Sequence, residues 1–372
     1  MTVTDVRARV LRAPLTTPVR MAHGTMRERV TVLVEVVTDA GLTGVGESWV
    51  NFPAWAACER RATVEEGVRP LLLGQDPLDR ATCWRTLTAA LVPLGRQWGA
   101  PGPIMQALSA VDIALWDLAG QAVAQPISAL LGAPTGRRVP CYASGVGPTR
   151  AVEEACRAVE AGFAGVKLKV GFGAAVDRRN VAEVRRAVGD DVTVLVDANQ
   201  AWDVEQAVEM ARFLADHGVG WLEEPVPTTE PALLAAVARQ SPVPIAAGEN
   251  IYGREGFQRF AEAGAFAVAQ PDVTKTGGIT EALAVAALLA PRGIALAPHF
   301  YGGAVGAAAT LHFFAAAPGG WWVEWDIRPN PLRDALLANS WELAGGYVRV
   351  PDQGPGLGIT IDPRALQAFA EA

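Results

Sequence analysis

The chain has 372 residues, half of them hydrophobic and 19% charged, which is enough apolar material for a large buried core and too much for a disordered chain. Its formal net charge of −7 leaves no basic surface to neutralise phosphates, which excludes nucleic acid as an expected partner. Met1 to Leu15 lacks the apolar run of a signal peptide, and the longest apolar run, Ala282 to Ala290, falls well short of the roughly 20 residues that cross a bilayer. The expectation is a cytoplasmic protein with no membrane partner. Cys58, Cys83, Cys141 and Cys156 show no CxxC spacing and read as reduced thiols.

In chain order, Val30 to Val37 (VTVLVEVV), a turn at Asp39-Ala40-Gly41 and a second apolar stretch reaching Glu47 predict a hairpin in an antiparallel sheet. Helical periodicity follows over Ala57 to Leu72, Asp79 to Leu91 and Ile104 to Val123. An α+β domain over residues 1–127 is the reading. After Pro134-Thr135-Gly136 short apolar runs alternate with Ala-rich helical patterns, which predicts βα units and a parallel sheet over 128–326. The candidate strands are Val139–Ala143, Gly165–Val170, Thr193–Asp197, Gly220–Glu223, Ile245–Gly248, Phe266–Pro271, Ile294–Ala297 and Trp322–Trp325. Eight such units read as a closed (β/α) barrel, and the tail 327–372 as a segment returning to the first domain. Neither GPGLG in that tail nor GGAVGAAA after Tyr301 has the spacing of a phosphate loop; turns and tight packing account for both.

Of the 32 basic residues only three are lysine: Lys167, Lys169 and Lys275. Arginine stays charged in a protein, whereas a buried lysine shifts its pKa and can serve as a base, so the lysines are the first place to look for chemistry. Barrel chemistry is built where strands end, and nearly every predicted strand ends in a polar group. Lys167 and Lys169 share one face of the second by period-2 alternation. The next three end in Asp197, Glu223 and Glu249, the sixth leads to Asp272 and Lys275, the seventh to His299, and the eighth carries Glu324.

Three carboxylates on neighbouring strands bring hard oxygen donors to one point and would repel unless a cation sat among them. Oxygen-only ligation suits Mg²⁺ and disfavours zinc, so Asp197, Glu223 and Glu249 are the expected metal ligands. Alternation turns Glu224 away and leaves it outside that set. Asp272 on the neighbouring strand is placed to orient His299, and Lys275 lies near the carboxylates. Glu324 either meets a developing enolate oxygen or pairs with an arginine.

These residues in this order resemble the enolase superfamily, specifically its mandelate racemase subgroup, over nearly the whole chain. The motifs are KxK (Lys167, Lys169), DANQ (Asp197), EEP (Glu223), GEN (Glu249), PDxxKxGG (Asp272), the histidine after the seventh strand and VEW (Glu324). The resemblance implies an α/β fold, a modified TIM barrel of the (β/α)7β type under an α+β capping domain. It implies Lys169 as a base on one substrate face, Lys167 at the substrate carboxylate, and three acids binding Mg²⁺. It further implies Asp272-His299 acting on the opposite face, Glu324 stabilising the enolate, and Asn199 close to metal or substrate.

The implied reaction removes the proton α to the carboxylate of a small molecule. Reprotonation from the opposite face would make a racemase or epimerase; loss of a β-hydroxyl with a proton from His299 would make an acid-sugar dehydratase. Dehydration of an aldonate or aldarate is favoured, because KxK with an Asp-His pair is found more often in the subgroup's dehydratases. A Schiff-base aldolase would not need three acids on adjacent strands, and a non-catalytic role leaves the whole set unexplained. Specificity would come from cap loops at Thr17–Arg29, with Arg20 and His23, and at Trp49–Trp55, where Trp55 either meets a less polar substrate or packs the loop. The resemblance also implies an even-numbered homo-oligomer, from dimer to octamer.

Overall fold

A computed structural model of the chain describes residues 1–21 and 24–371; His23 lies outside them. The first three strands, β1 (Val3–Met21), β2 (Gly24–Thr38) and β3 (Thr43–Trp49), form an antiparallel sheet in the order β1-β2-β3. Arg9 pairs with Leu33 and Thr31 with Trp49, so the β-branched run at 30–37 lies in the middle of the sheet. Within the stretch Thr17–Arg29, read from sequence as a loop, the described residues are instead strand: Val19 pairs with Met26 and Met21 with Gly24 after a register shift beyond Pro14. Only partial alternation marks it, with exposed Arg20, Thr25 and Arg27 set against buried Val19 and Met26.

The helices α1 (Ala56–Ala62), α2 (Arg69–Leu72), α3 (Arg80–Trp98), α4 (Pro101–Ala122) and α5 (Ile127–Leu130) cover one face of the sheet. Asp79 caps α3 by accepting from the Thr82 N–H, and Gly99 ends it in the left-handed region. α4 starts on Pro101 and is almost wholly buried. A Cβ on Gly46 would sit 1.7 Å from the Ala110 carbonyl oxygen, so only glycine lets β3 approach α4 this closely.

The second region alternates strand and helix. Its strands are β4 (Arg138–Val146), β5 (Gly165–Lys169), β6 (Thr193–Asp197), β7 (Val219–Glu223), β8 (Ile245–Ala247), β9 (Val268–Ala269), β10 (Ala295–Leu296) and β11 (Val323–Asp326). Between them run α6 (Ala151–Glu160), α7 (Ala174–Val188), α8 (Val204–Asp216), α9 (Pro231–Ala238), α10 (Gly253–Glu262), α11 (Gly278–Leu289) and α12 (Ala304–Ala316). β4 to β10 pair in parallel with their sequence neighbours, and β11 returns to pair with β4. Across the remaining seam the Leu296 N–H donates to the Gly319 carbonyl at 3.0 Å and the Trp321 N–H to the Leu296 carbonyl at 2.8 Å. Among the described residues this is a TIM-barrel-like array of the (β/α)7β kind. A sleeve of small and branched apolar residues joins its strands to the surrounding helices.

After β11 the chain forms α13 (Pro331–Asp334) and the short hairpin β12 (Leu343–Ala344) and β13 (Tyr347–Arg349), which adds antiparallel to the start of β4. It then returns to the first sheet: the Leu357 N–H donates to Asp117 of α4 at 2.8 Å, and the Glu371 N–H to the Val10 carbonyl at 2.9 Å.

Candidate active site

Parallel pairing sets β5, β6 and β7 in one register, so that Lys169 lies opposite Asp197 and Asp197 opposite Glu223. Inward alternation then puts Lys167, Lys169, Asp197 and Glu223 in the mouth of the barrel. Lys167 is fully buried. Its Nζ donates to both oxygens of Glu223, at 2.8 and 2.9 Å, and stands 2.9 Å from Glu324 and 3.9 Å from Asp197. Lys169 donates to Asp197 Oδ2 and keeps 18% of its side chain exposed, which makes it the accessible amine of the two.

Asn199 follows the strand with φ 43°, a left-handed turn that asparagine tolerates. Its backbone N–H and side-chain amide donate to the two Asp197 oxygens at 2.8 and 3.2 Å. Asn199 thus stands beside Asp197.

On the other flank, His299 Nδ1 meets Asp272 Oδ2 at 2.7 Å and its Nε2 meets Glu249 Oε2 at 2.9 Å. Asp272 accepts from both the N–H and the hydroxyl of Thr274 through Oδ1, so its other oxygen is free for the imidazole. Glu324 accepts from the Ser144 hydroxyl and from the Phe300 N–H, and lies 4.0 Å from His299 Nε2. Of the two readings of Glu324, its charged partner is Lys167; no arginine faces it among the described residues. Lys275 donates to Asn250 Oδ1 at 3.1 Å with Trp49 against its ammonium, and Asn250 donates to Glu249.

One sequence expectation changes. Glu224 does not turn away: β7 ends at Glu223, and Glu224 has φ 37°, which breaks the alternation. Its buried carboxylate accepts from Gln200 at 2.8 Å and from Asn250 at 3.0 Å, next to Glu249. Among the described residues no three acidic, histidine or cysteine side chains stand ready as a ligand cage, and the three expected ligands are held by charges of the chain itself. Like charges that close would repel, and each acid is turned toward a cation of the chain, Asp197 to Lys169, Glu223 to Lys167 and Glu249 to His299.

The titration behaviour follows this pairing. Burial, then the neighbouring Asp197, pushes Glu223 up to about 8, and burial with Glu249 pushes Glu224 up to about 8. Against the cost of burial, Lys167 and then His299 hold Glu324 down at about 2. His299 in turn is raised well above the ordinary histidine range, because Glu249 and Glu324 outweigh its burial. Burial and Lys167 lower Lys169, but Asp197 outweighs both and raises it.

Among the described residues the cationic groups that face Asp197, Glu223, Glu224, Glu249, Asp272 and Glu324 are the ammonium groups of Lys167, Lys169 and Lys275 and one imidazole. That excess of negative charge on an all-oxygen donor set fits a divalent cation such as Mg²⁺ held by Asp197, Glu223 and Glu249. Sequence reading overlooked Gln270, whose amide donates to Glu223 Oε2 at 2.6 Å. The signal was present, since Gln270 lies two residues past inward-facing Val268. Arg20 stands exposed near the end of the hairpin, and Trp55 is 73% exposed on the cap, outside the buried acids. The end of the hairpin does meet the second cap loop, for a Cβ on Gly24 would lie 2.9 Å from the Phe52 ring.

The chain has relatives over nearly its whole length. A D-galactarolactone cycloisomerase from Agrobacterium fabrum is 36% identical over 99% of both chains. An arabinonate dehydratase from Saccharolobus solfataricus is 34% identical over 91% of this chain and 90% of its own. The crystal structure of a Streptomyces coelicolor racemase with bound magnesium superposes with a TM-score of 0.89 at 30% identity, over 99% of this chain and all of the other. No described helix is long and apolar enough to cross a membrane. Residues 3–132 match the mandelate racemase/muconate lactonizing enzyme N-terminal domain and residues 150–365 the enolase C-terminal domain-like family, so this chain is an enzyme of the mandelate racemase/muconate lactonizing branch of the enolase superfamily.

Proposed function

We propose that the enzyme removes the proton α to the carboxylate of an acid sugar and expels the β-hydroxyl, converting an aldonate or aldarate to a 2-keto-3-deoxy acid. One observation carries this reading: Lys169 on Asp197 and His299 on Glu249 stand at opposite ends of a single row of carboxylates. A base and an acid are thereby mounted on either side of one bound carboxylate. The dehydratases of arabinonate, galactonate and xylonate among the relatives support the same substrate class.

Asp197, Glu223 and Glu249 would hold Mg²⁺, which when bound supplies the electrostatic stabilisation that an α-carbon acid this weak requires. Lys169, the more exposed of the two amines, takes the α-proton at Nζ in its neutral form, once its hold on Asp197 is released, and Asn199 keeps Asp197 in place beneath it. Lys167 faces the substrate carboxylate side and holds Glu223 and Glu324 together. Asp272 fixes the His299 tautomer through Nδ1, so Nε2 is the atom that gives its proton to the departing β-hydroxyl. The Cβ–O bond breaks, water leaves, and the resulting enol takes a proton at Cβ to become the keto acid. Glu324, seated between Lys167 and Ser144, faces the developing enolate oxygen.

The same opposed flanks support a second reading, in which His299 returns a proton to the opposite face of the α-carbon and the product is an epimer. Incubation in D₂O with Mg²⁺ and a panel of mono- and diacid sugars separates them. Keto acid trapped by semicarbazide is the expected result. Inverted, deuterated substrate without keto acid selects the isomerase, and no exchange with any compound overturns both. Mg²⁺ is further expected to raise the melting temperature of the wild type and not that of Asp197→Asn.

A further inference from the structure

Glu47 is a fully buried carboxylate that the mechanism does not use, and it comes from the capping sheet, not the barrel. Its Oε1 accepts from the Gly303 N–H at 2.5 Å and its Oε2 from the Gly306 N–H at 2.8 Å. These are the N-cap and third positions of α12, a thirteen-residue helix with no capping side chain of its own. Glu47 therefore caps a barrel helix across some 250 residues of sequence, and its charge meets the positive end of the helix dipole.

The glycine-rich segment after Tyr301, which no phosphate-loop reading explains, is the mould for this carboxylate. A Cβ on Gly302 would come 2.8 Å from Glu47 Oε1, one on Gly303 would come 3.0 Å from Oε2, and one on Gly306 2.8 Å from the Thr274 methyl. Thr274 is the residue that donates twice to Asp272. His299 begins the same loop, three residues before Gly302. The rest of that loop is also held from outside the barrel strands, with Asn51 donating to the Tyr301 carbonyl and Asn330 to the Gly302 carbonyl at 2.8 Å.

We propose that Glu47 is a positioning residue through which the seated capping sheet sets the His299 loop, so that the imidazole meets Asp272 only when cap and barrel are in register. The role in turnover rests on the dehydratase reading above; the effect on His299 does not. Glu47→Gln keeps the shape but turns an N–H₂ group toward one of the two helix N–H donors, where it cannot accept. In full-length protein labelled with ¹⁵N-histidine, with His299 assigned by its loss in His299→Asn, the His299 Nδ1 signal should shift or broaden in Glu47→Gln while that of His312 stays in place.

With an acid-sugar substrate, kcat for dehydration should fall about 10²-fold at nearly constant KM. The α-proton exchange that depends on Lys169 should be retained, and Glu47→Asp, which keeps the charge, should recover part of the loss. A folded Glu47→Gln protein with an unmoved His299 signal overturns the proposal, as does exchange falling in step with dehydration. Where Glu47→Gln does not fold, Gly303→Ala crowds the same oxygen with the charge intact, and the same signals decide. Wild type that dehydrates no acid sugar would remove the proposed reaction and leave the spectroscopic result standing.

Discussion

The two ends of the barrel interior are built from the same strands and the same inward face, two residues apart. At one end Tyr142, Leu195, Trp221, Ala246, Val268 and Ala297 make a dry layer, with Tyr142 edge-on to Trp221 at 5.3 Å and Trp221 edge-on to Trp321 at 5.5 Å. Two positions further along the strands stand Ser144, Asp197, Glu223, Gln270 and His299, and Glu324 stands two past Trp322, which packs against the dry layer. A step of two residues is about 6.6 Å, so the change from apolar plug to charged mouth is complete within one side-chain layer. Fold stability and chemistry are thus separable along a single strand: Trp221 is a matter of packing, and Glu223 of charge. The plug also places a low-dielectric floor under Lys167, whose ammonium lies 5.4 Å from the Tyr142 ring, and this strengthens every ion pair above it.

The comparison is tested most severely at the mouth. His299→Asn removes the proposed proton donor and is expected to lower kcat for the proposed dehydration by ~10²–10⁴-fold while the protein unfolds at nearly the wild-type denaturant concentration. A large stability loss with a small kinetic one would show that the charged layer holds the barrel together, contrary to the division drawn here. The opposite pattern is expected one layer down. Trp221 is fully buried and its indole N–H has no partner, so Trp221→Ala loses packing alone, about 3–5 kcal/mol. Urea unfolding measures that cost, and the kcat of the protein that remains folded should change far less than in His299→Asn. Trp221→Phe should be mild, since no hydrogen bond is lost.

This layering explains which parts of the molecule are legible in the sequence. Period-2 alternation with a polar terminus marks Thr193–Asp197 from end to end, because both the dry and the charged residue of β6 fall on the inward face. The same rule fails at Glu224, where one left-handed residue returns a second acid to the site, and no pattern of residue types announces a positive φ. It fails again at Val19–Met21, whose pairing with Gly24–Met26 is decided by the partner strand and not by local composition. Glu47 is invisible for a third reason. Its meaning lies in glycines some 250 residues away, a non-local contact that one strand's pattern cannot carry. Pairing choices such as Lys167 with both Glu223 and Glu324 are likewise set by which charges the fold encloses together.

A titratable group in a dry region should act on stability and not on chemistry, and His312 of α12 provides that case. It is fully buried; Nδ1 accepts from the Ser128 N–H at 3.1 Å, so Nε2 carries the proton and donates to the Leu357 carbonyl at 3.0 Å. Burial pushes it down to about 4, so the folded protein keeps it neutral where the unfolded chain takes up a proton. The contribution is complete above the unfolded value of about 6.5 and is lost as pH falls from there to about 4, amounting to roughly 3 kcal/mol. Urea unfolding of wild type and His312→Gln across that range should show the slope in the former and its reduction in the latter. Equal slopes would show that the pH dependence comes from carboxylates elsewhere.

The smallest effect is expected from the same residue type that gives one of the largest. Trp55 ends the loop after β3 and is 73% exposed, against full burial for Trp221, so its ring has little packing to lose. Trp55→Ala should change unfolding free energy by no more than about 0.5 kcal/mol, the range of surface substitutions. Its value lies in the kinetics. A tryptophan that meets the distal end of a substrate raises KM on removal and leaves kcat in place, because such contacts are alike in the ground and transition states. Trp55→Phe should then restore most of the binding through its remaining ring face. Unchanged KM for every acid sugar turned over would make Trp55 a loop-packing residue and move the search for the specificity wall to Phe52, which already touches the end of the hairpin.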